Sequence, residues 1–250
     1  FLVIYHLLFL IKIGSIGGIT GKNYGTIQYC TNKTNISGKC QVSALKLFAG
    51  GIAAINRKNI EFCKNEGDVF GEGATGWQTQ IGGITGFNNC SVTSCYNKGK
   101  VSGKGSGSNL PSPTFKQQVM IGGIVGMNYI DNEGILIVEK CYNEGEISGE
   151  NGYYTHAGGI AGENGSYGNI NKCCNVSHVK ATGSEGGTVA ISAGICGLTE
   201  KDNTTIKECY YFNQYINNGV GYGEYEEEEI IGVDNINDIP SVKEITGHDF

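Results

Sequence analysis

The sequence predicts an all-β chain, a parallel β-helix (β-solenoid) of about six repeats of roughly 32–40 residues, and three observations carry that prediction. A unit of the form Gly-Gly-Ile-x-Gly-x-Asn recurs with its isoleucine at Ile19, Ile52, Ile84, Ile124, Ile160 and, in a decayed copy, Ile195. These isoleucines lie 33, 32, 40, 36 and 35 residues apart, a spacing that marks stacked arrays rather than one wound domain. A second unit follows each first one, with Cys30, Cys63, Cys95, Cys141, Cys173 and Cys209 each preceded three positions earlier by Ile or Val. Within both units the period is two, which selects strand over helix.

The alternation assigns faces. From Ile124 the alternate positions are Gly126 and Asn128, and from Cys141 they are Asn143, Gly145 and Ile147. Tyr142, Glu144 and Glu146 fall between them, as do Tyr96, Lys98 and Lys100 one copy earlier. Successive strand side chains point to opposite faces, so one face is small or apolar and the other charged and wet. A strand of five to seven residues cannot bury such a face alone, and stacking the copies converts it into a continuous interior column. The step of three from Ile or Val to Cys breaks the alternation and predicts a bulge or corner. Asn23, Asn56, Asn88, Asn128 and Asn164 are expected to form one corner ladder, and Asn32, Asn65, Asn97, Asn143 and Asn175 a second. Asparagine tolerates left-handed backbone and bonds to the same amide one rung away.

In chain order, residues 1–13 form an apolar segment, too short for a membrane span of about 20 residues; a signal-peptide remnant and a cap on the solenoid's open end both fit. Residues 14–216 hold the repeats. The connections between the second unit and the next Gly-Gly differ most at 104–114, with an elaborated corner at 129–136, and insertions of this kind map to loops on one side of a solenoid. Residues 217–250 read as an irregular segment, with Glu226 to Glu229 as a solvated loop. Ser241 to Glu244 has capping-box spacing, so a helix of one or two turns is expected after Pro240.

Composition removes several function classes. The formal net charge is −6 and Arg57 is the one arginine, so a phosphate-tracking patch for nucleic acid is not expected. Glycine, at 41 of 250 residues, is about twice the usual share of roughly 7%. There are ten cysteines but no Cys-x-x-Cys pair, so a ribbon-type zinc site has no foothold. One cysteine per rung with parallel side chains disfavours disulfide geometry, and the ladder cysteines are expected to be buried thiols acting as small hydrophobes. Pairing among Cys40, Cys90, Cys174 and Cys196 stays open.

Candidate chemistry is sparse. Gly71 to Gly76 matches a dinucleotide fingerprint but precedes another Gly-Gly unit instead of the helix a phosphate cradle needs. His6, His156, His178 and His248 share no repeat position. Asp131-Asn132-Glu133 has oxygen ligands for calcium, yet reads more simply as a solvated loop. Glu66, Asp68, Glu144 and Glu146 fall on the outward face beside lysines and read as surface charge, not as the spaced carboxylate pair of a glycoside hydrolase. The positions after the isoleucine, Thr20, Ala53, Thr85, Val125, Ala161 and Cys196, are read as outward and form no threonine array.

The two units together resemble the GLUG repeats of bacterial cell-surface and secreted adhesin-like proteins, which also occur in non-catalytic regions of immunoglobulin A-cleaving metallopeptidases. The similarity covers about residues 14–212. It implies an extracellular or cell-surface β-solenoid serving as stalk or adhesive region, part of a larger surface protein, with a host or matrix glycan or protein as partner. It supplies no catalytic, metal or cofactor residues. The expectation is therefore a non-enzymatic module. A polysaccharide-active β-helix lyase or hydrolase, or an accessory region of a secreted peptidase, is the alternative.

Overall fold

A computed structural model describes residues 14–40, 46–73, 78–106, 116–130, 136–184, 189–200, 203–223 and 226–250. The expectations for residues 1–13, for Asp131 to Glu133 and for most of the 104–114 loop lie outside them. The chain is a parallel β-solenoid of about five turns. Each full turn contributes one strand to each of three stacked sheets and two to a fourth. Sheet 1 contains Gly14–Gly17, Lys46–Gly50, Gln78–Gly82, Gln118–Gly122, Tyr154–Gly158 and Val189–Ala193. Sheet 2 begins after the Gly-Ile turn and runs from Thr20–Asn23 through Cys196–Thr199 to a seventh strand, Val220–Tyr222. Sheet 3 has two limbs meeting at a corner, for example Ser91–Thr93 and Tyr96–Asn97, and sheet 4 stacks five strands from Ile36–Cys40 to Val179–Gly183.

Register places like on like. Ile27, Ile60, Val92, Val138, Ile170 and Ile206 pair in sequence, and so do the asparagines of both ladders. The interior divides into two apolar compartments. The first packs the column Ile52, Ile84, Ile124, Ile160 and Ile195 against the Ile/Val column and the cysteines; the second packs Ile81, Val119 and Ile121 of sheet 1 against Val69, Val101 and Ile147 of sheet 4. Ile19 belongs to the same column by its backbone bond to Ile52, but on the end turn it remains 44% exposed.

The corner before each ladder cysteine is where the chain turns. Tyr29, Phe62, Ser94, Lys140, Lys172 and Glu208 all adopt φ of 51–53°, a left-handed conformation that costs a non-glycine residue on the order of 1 kcal/mol. The turn lets both the Ile/Val and the cysteine three residues later face one interior. Each corner repeats the same bonds: Cys95 Sγ donates to the Thr93 carbonyl at 3.2 Å and lies 3.7 Å from the Ile60 carbonyl one turn away. At these corners the left-handed residue is thus the one before the cysteine, correcting the expectation that a ladder asparagine supplies it.

The asparagines do a different job. Asn23, Asn56, Asn88, Asn128 and Asn164 form an amide chain with 2.8 Å steps. Asn32, Asn65, Asn97, Asn143 and Asn175 form a second, with steps of 2.7–2.8 Å. All are buried. The second chain also explains the doubled glycine. A Cβ on Gly51, Gly83, Gly123 or Gly159 would lie 2.3 Å from the Cγ of Asn65, Asn97, Asn143 or Asn175, and a Cβ on the preceding glycine would lie 1.9–2.0 Å from the carbonyl three residues on. Gly-Gly and the ladder asparagine are one packing unit. In the sixth copy the partner of Asn175 is Tyr211, whose ring lies against Gly194, and Ala193 replaces the first glycine.

Three further expectations are corrected. Ala53, Thr85, Val125, Ala161 and Cys196, read as outward, are fully buried, because the Gly-Ile turn rotates the chain so that both the isoleucine and its successor enter the first compartment. Glu226 to Glu229, read as a solvated loop, open the strand Glu226–Val233, which pairs parallel to Thr205–Phe212 and with Val220–Tyr222 extends the stack. Tyr96 and Tyr142, placed on the wet face, are each 6% exposed because the end of the chain covers them.

That cover is the short helix Val242–Thr246. Its N-cap is Ser241, with a complete capping box to Glu244 and a left-handed Gly247 at its C-terminus. Ile239, Val242, Ile245 and Phe250 pack on the outward column Tyr96, Tyr142, Cys174 and Tyr210. The tail therefore runs back along the solenoid from its sixth copy toward its first.

Candidate functional site

Outward columns carry the polar chemistry, and their charges alternate from turn to turn. Lys39, Glu72, Lys104 and Glu150 stack in register, with ion pairs at 2.9 Å for Lys39–Glu72 and 3.0 Å for Lys104–Glu150. Asp68 accepts the Lys100 backbone N–H at 2.9 Å, and Lys100 lies 3.5 Å from Glu146. Glu66 bonds Lys64 at 2.7 Å and lies 3.8 Å from Lys33; the Lys64 ammonium holds its carboxyl below the ordinary range. Tyr96 donates to Glu144 at 2.5 Å; burial, then that bond, push the phenol above its ordinary range. Glu66, Asp68, Glu144 and Glu146 are thus each engaged by a neighbour. A shallow hollow of about 330 Å³ over sheet 4, between Phe70, Ser102, Ser148 and Lys180, is walled by these columns.

The structure scatters the histidines. His178 stacks on Tyr215 with ring centroids 3.5 Å apart. His156 lies 3.4 Å from Glu163, both about 5% exposed. The pair sits in register with Met120 and Met127 on one side and Ile191 and Leu198 on the other. Among the described residues no group of His, Cys, Asp and Glu could hold a metal ion, and no helix is long and apolar enough to cross a membrane. The end of the Gly71 to Gly76 stretch lies outside the described residues, and Gly71 to Gly73 belong to the strand Val69–Gly73.

The interior residues named from the sequence come together as columns. Cys63, Cys95, Cys141, Cys173 and Cys209 are fully buried free thiols, and Cys30 on the end turn is a half-buried one. Burial, then the neighbouring thiols, push Cys141 and Cys209 above the ordinary range; burial does the same for Cys174 and Cys196. These groups stay protonated and unreactive at neutral pH.

One surface feature went unread in the sequence. Tyr29 and Phe62 occupy the corner that holds Ser94, Lys140, Lys172 and Glu208 in later copies, and their rings stack at 5.1 Å with an interplanar angle of 5°. The chain end reaches them: the His248 ring lies 5.8 Å from Tyr29 and 5.7 Å from Phe62, and Phe250 lies 4.8 Å from His248 and 5.6 Å from Tyr96. Tyr29, Phe62, His248 and Phe250 border an open groove of about 340 Å³ whose other lining residues are Thr31, Lys33, Lys64, Glu66 and Asp249. Asp249 bonds Lys243 at 2.7 Å, which holds its carboxyl below the ordinary range. The signal was present as two aromatics at a position that is polar elsewhere, but only the tail's path shows that they border a groove.

Comparison of the chain with protein-family models, curated proteins and solved structures returns no match.

Proposed function

We propose that the chain is a structural or adhesive repeat module of an extracellular or cell-surface protein, acting through its outward faces and loops without catalysis. The observation that carries this reading is how the repeat spends its side chains. Isoleucine, cysteine and asparagine stack inside, while the outward carboxylates are tied into alternating ion pairs. A hydrolytic pair needs one carboxyl free to protonate a leaving group and another to activate water, and paired, ionised surface acids are poor candidates for the first task. Binding residues sit well on loops and edges held by a rigid scaffold. Protonated, buried thiols also suit an oxidising exterior, since the thiolate is the reactive species. The resemblance to GLUG repeats points the same way.

A glycan array and a host-matrix binding screen, run beside a polysaccharide-degradation assay, test the reading. Saturable binding with no product is expected. Polymer turnover abolished by neutralising one outward carboxylate would overturn it in favour of an enzyme.

A further inference from the structure

We propose that the outward column Tyr96, Tyr142, Cys174 and Tyr210 is a docking site for a short apolar-faced helix, and that its partner is the C-terminal tail of a second copy of this chain. The position after each ladder cysteine reads Thr31, Lys64, Tyr96, Tyr142, Cys174 and Tyr210 from the first copy to the sixth, in one register. It faces outward, where other columns alternate in charge. Four successive turns nevertheless place an aromatic ring or a thiol there, and the tail lays Ile239, Val242, Ile245 and Phe250 on them. Val242 and Ile245 lie on one face of the helix Val242–Thr246, the pattern by which amphipathic helices are read in grooves. The contact is as dry as an interior: Tyr96 and Tyr142 are each 6% exposed, Ile245 is 8% and Cys174 is fully buried.

The tail satisfies its own polar groups, which makes this contact transferable. The Glu244 carboxylate accepts from the Ser241 N–H at 2.7 Å and from its hydroxyl at 2.8 Å. Thr246 Oγ1 donates to the Val242 carbonyl at 2.8 Å, the Gly247 N–H to the Lys243 carbonyl at 2.9 Å, and Lys243 pairs with Asp249 at 2.7 Å. The last polar links to the solenoid are at Asp234, which accepts from Asn213 and Gln214. Among the described residues, the hydrogen bonds and ion pairs of residues 235–250 all close within that segment, and its contacts with the solenoid are apolar side chains and rings. A site that reads only the tail's apolar face does not distinguish its own tail from another copy's, and exchanging an identical segment between protomers keeps every contact. The chain's own tail competes at an effective concentration on the order of millimolar, so exchange needs crowded copies or a released tail. The pairing does not rest on the adhesive reading, since it holds whatever the outward faces bind.

The test complements two full-length variants. Ile245→Asp keeps the column but spoils the tail with an unpaired charge, and Tyr142→Asp keeps the tail but spoils the column in the same way. Isotope-labelled Ile245→Asp at about 10 µM, titrated with Tyr142→Asp up to about 1 mM, should bind with a Kd of about 0.1 mM or tighter. At the top of the titration Cys174 of the labelled chain should be alkylated about tenfold more slowly than without partner, read by mass spectrometry. No association by about 1 mM overturns the proposal, and so does equal self-association of either variant alone. Loss of the far-UV sheet signal in Ile245→Asp also overturns it, because a detachable tail is not needed for the fold. If Tyr142→Asp loses that signal, a synthetic peptide of residues 236–250 takes its place. The peptide should bind the Ile245→Asp chain and protect Cys174, bind the parent chain about tenfold more weakly because the resident tail competes, and lose binding when it carries Ile245→Asp itself. No peptide binding, or equal binding of the two peptides, overturns the site.

Discussion

Gly83→Ala probes the packing unit formed by the doubled glycine and the asparagine ladder. A Cβ at Gly83 would sit 2.1 Å from the Gly123 carbonyl oxygen and 2.3 Å from Asn97 Cγ. Non-bonded contacts are comfortable near 3.5–4.0 Å, so a backbone carbonyl of the next turn and a ladder side chain must both shift by about 1 Å or more. Asn97 donates to Asn143 at 2.7 Å and to the Gly99 carbonyl at 2.9 Å, and accepts from Asn65 at 2.8 Å. Weakening three buried bonds costs about 1 kcal/mol each, and overpacking adds about 1–3 kcal/mol. The sum, roughly 4–6 kcal/mol, is a large part of a typical stability of about 5–15 kcal/mol. Gly25→Ala is the control, because a Cβ there meets nothing within 4 Å and its backbone lies outside the left-handed region; it should be neutral or stabilise by about 0.4–1 kcal/mol. Urea unfolding followed by far-UV circular dichroism measures both. A Gly83→Ala midpoint matching the parent's would refute the reasoning. Adding Asn97→Ala should not restore stability, since the Gly123 carbonyl still obstructs.

His156→Met and Glu163→Met should each cost about 2–4 kcal/mol by leaving a buried polar partner unpaired. The double variant, which copies Met120 and Met127 of the neighbouring turn, should return to within about 1 kcal/mol of the parent, and additive single effects in denaturation would sink the pairing. The pH dependence of stability follows from the raised thiols. A raised folded pKa means the folded state keeps protons that the unfolded state releases, so stability is flat below about pH 8 and falls as the pH rises past the ordinary thiol value of about 8.5. Cys174 and Cys196 together give a slope approaching about 3 kcal/mol per pH unit, and stability undiminished at about pH 10 would contradict it. Deleting residues 236–250 should uncover Cys174 and speed its native-state alkylation by an order of magnitude or more, with Cys141 and Cys173 still protected; mass spectrometry showing Cys174 equally slow would remove the tail from that face. Glu72→Lys places a third lysine between Lys39 and Lys104 and should cost about 1 kcal/mol at low salt and less at about 1 M salt; a cost indifferent to salt would contradict the charge-column account.

The fold was legible because a solenoid writes its packing into the chain once per turn. Ile124 and Cys141 recur with their neighbours, and a column of identical residues follows from recurrence plus alternation. Legibility failed where a single turn's pattern depends on what lies beside it. Tyr96 and Tyr142 alternate outward as read, but the tail packs on them, and such a contact between sequence-distant segments leaves no period. Val125 was misassigned because the tight Gly-Ile turn interrupts the alternation between Ile124 and its successor. The run Glu226 to Glu229 misled for another reason: backbone pairing with Thr205 to Lys207 on the last copy makes a strand where the run's composition suggests a loop. The groove was least legible of all, since Tyr29 and Asp249 lie at opposite ends of the sequence and meet only through the tail's path.

The contrast between inside and outside bears on how such a stack keeps its order. Inside, like lies on like: Asn65, Asn97 and Asn143 bond as equivalents, and the isoleucines are interchangeable. Columns of this kind stabilise any stacking in which whole turns coincide, including one slipped by a turn, so they do not by themselves select the correct neighbour. Outside, unlike lies on unlike. In the Lys39, Glu72, Lys104, Glu150 column a slip of one turn would set like charges directly opposite, which destabilises cross-strand pairs. Each exposed ion pair is worth only about 0–1 kcal/mol, too little to hold the fold, but the same alternation repeats in the Asp68, Lys100, Glu146 column. The penalties for slippage therefore add over columns while the interior gain from slippage does not change. Interior repetition supplies the stability, and exterior alternation, with the tail spanning turns, supplies the order.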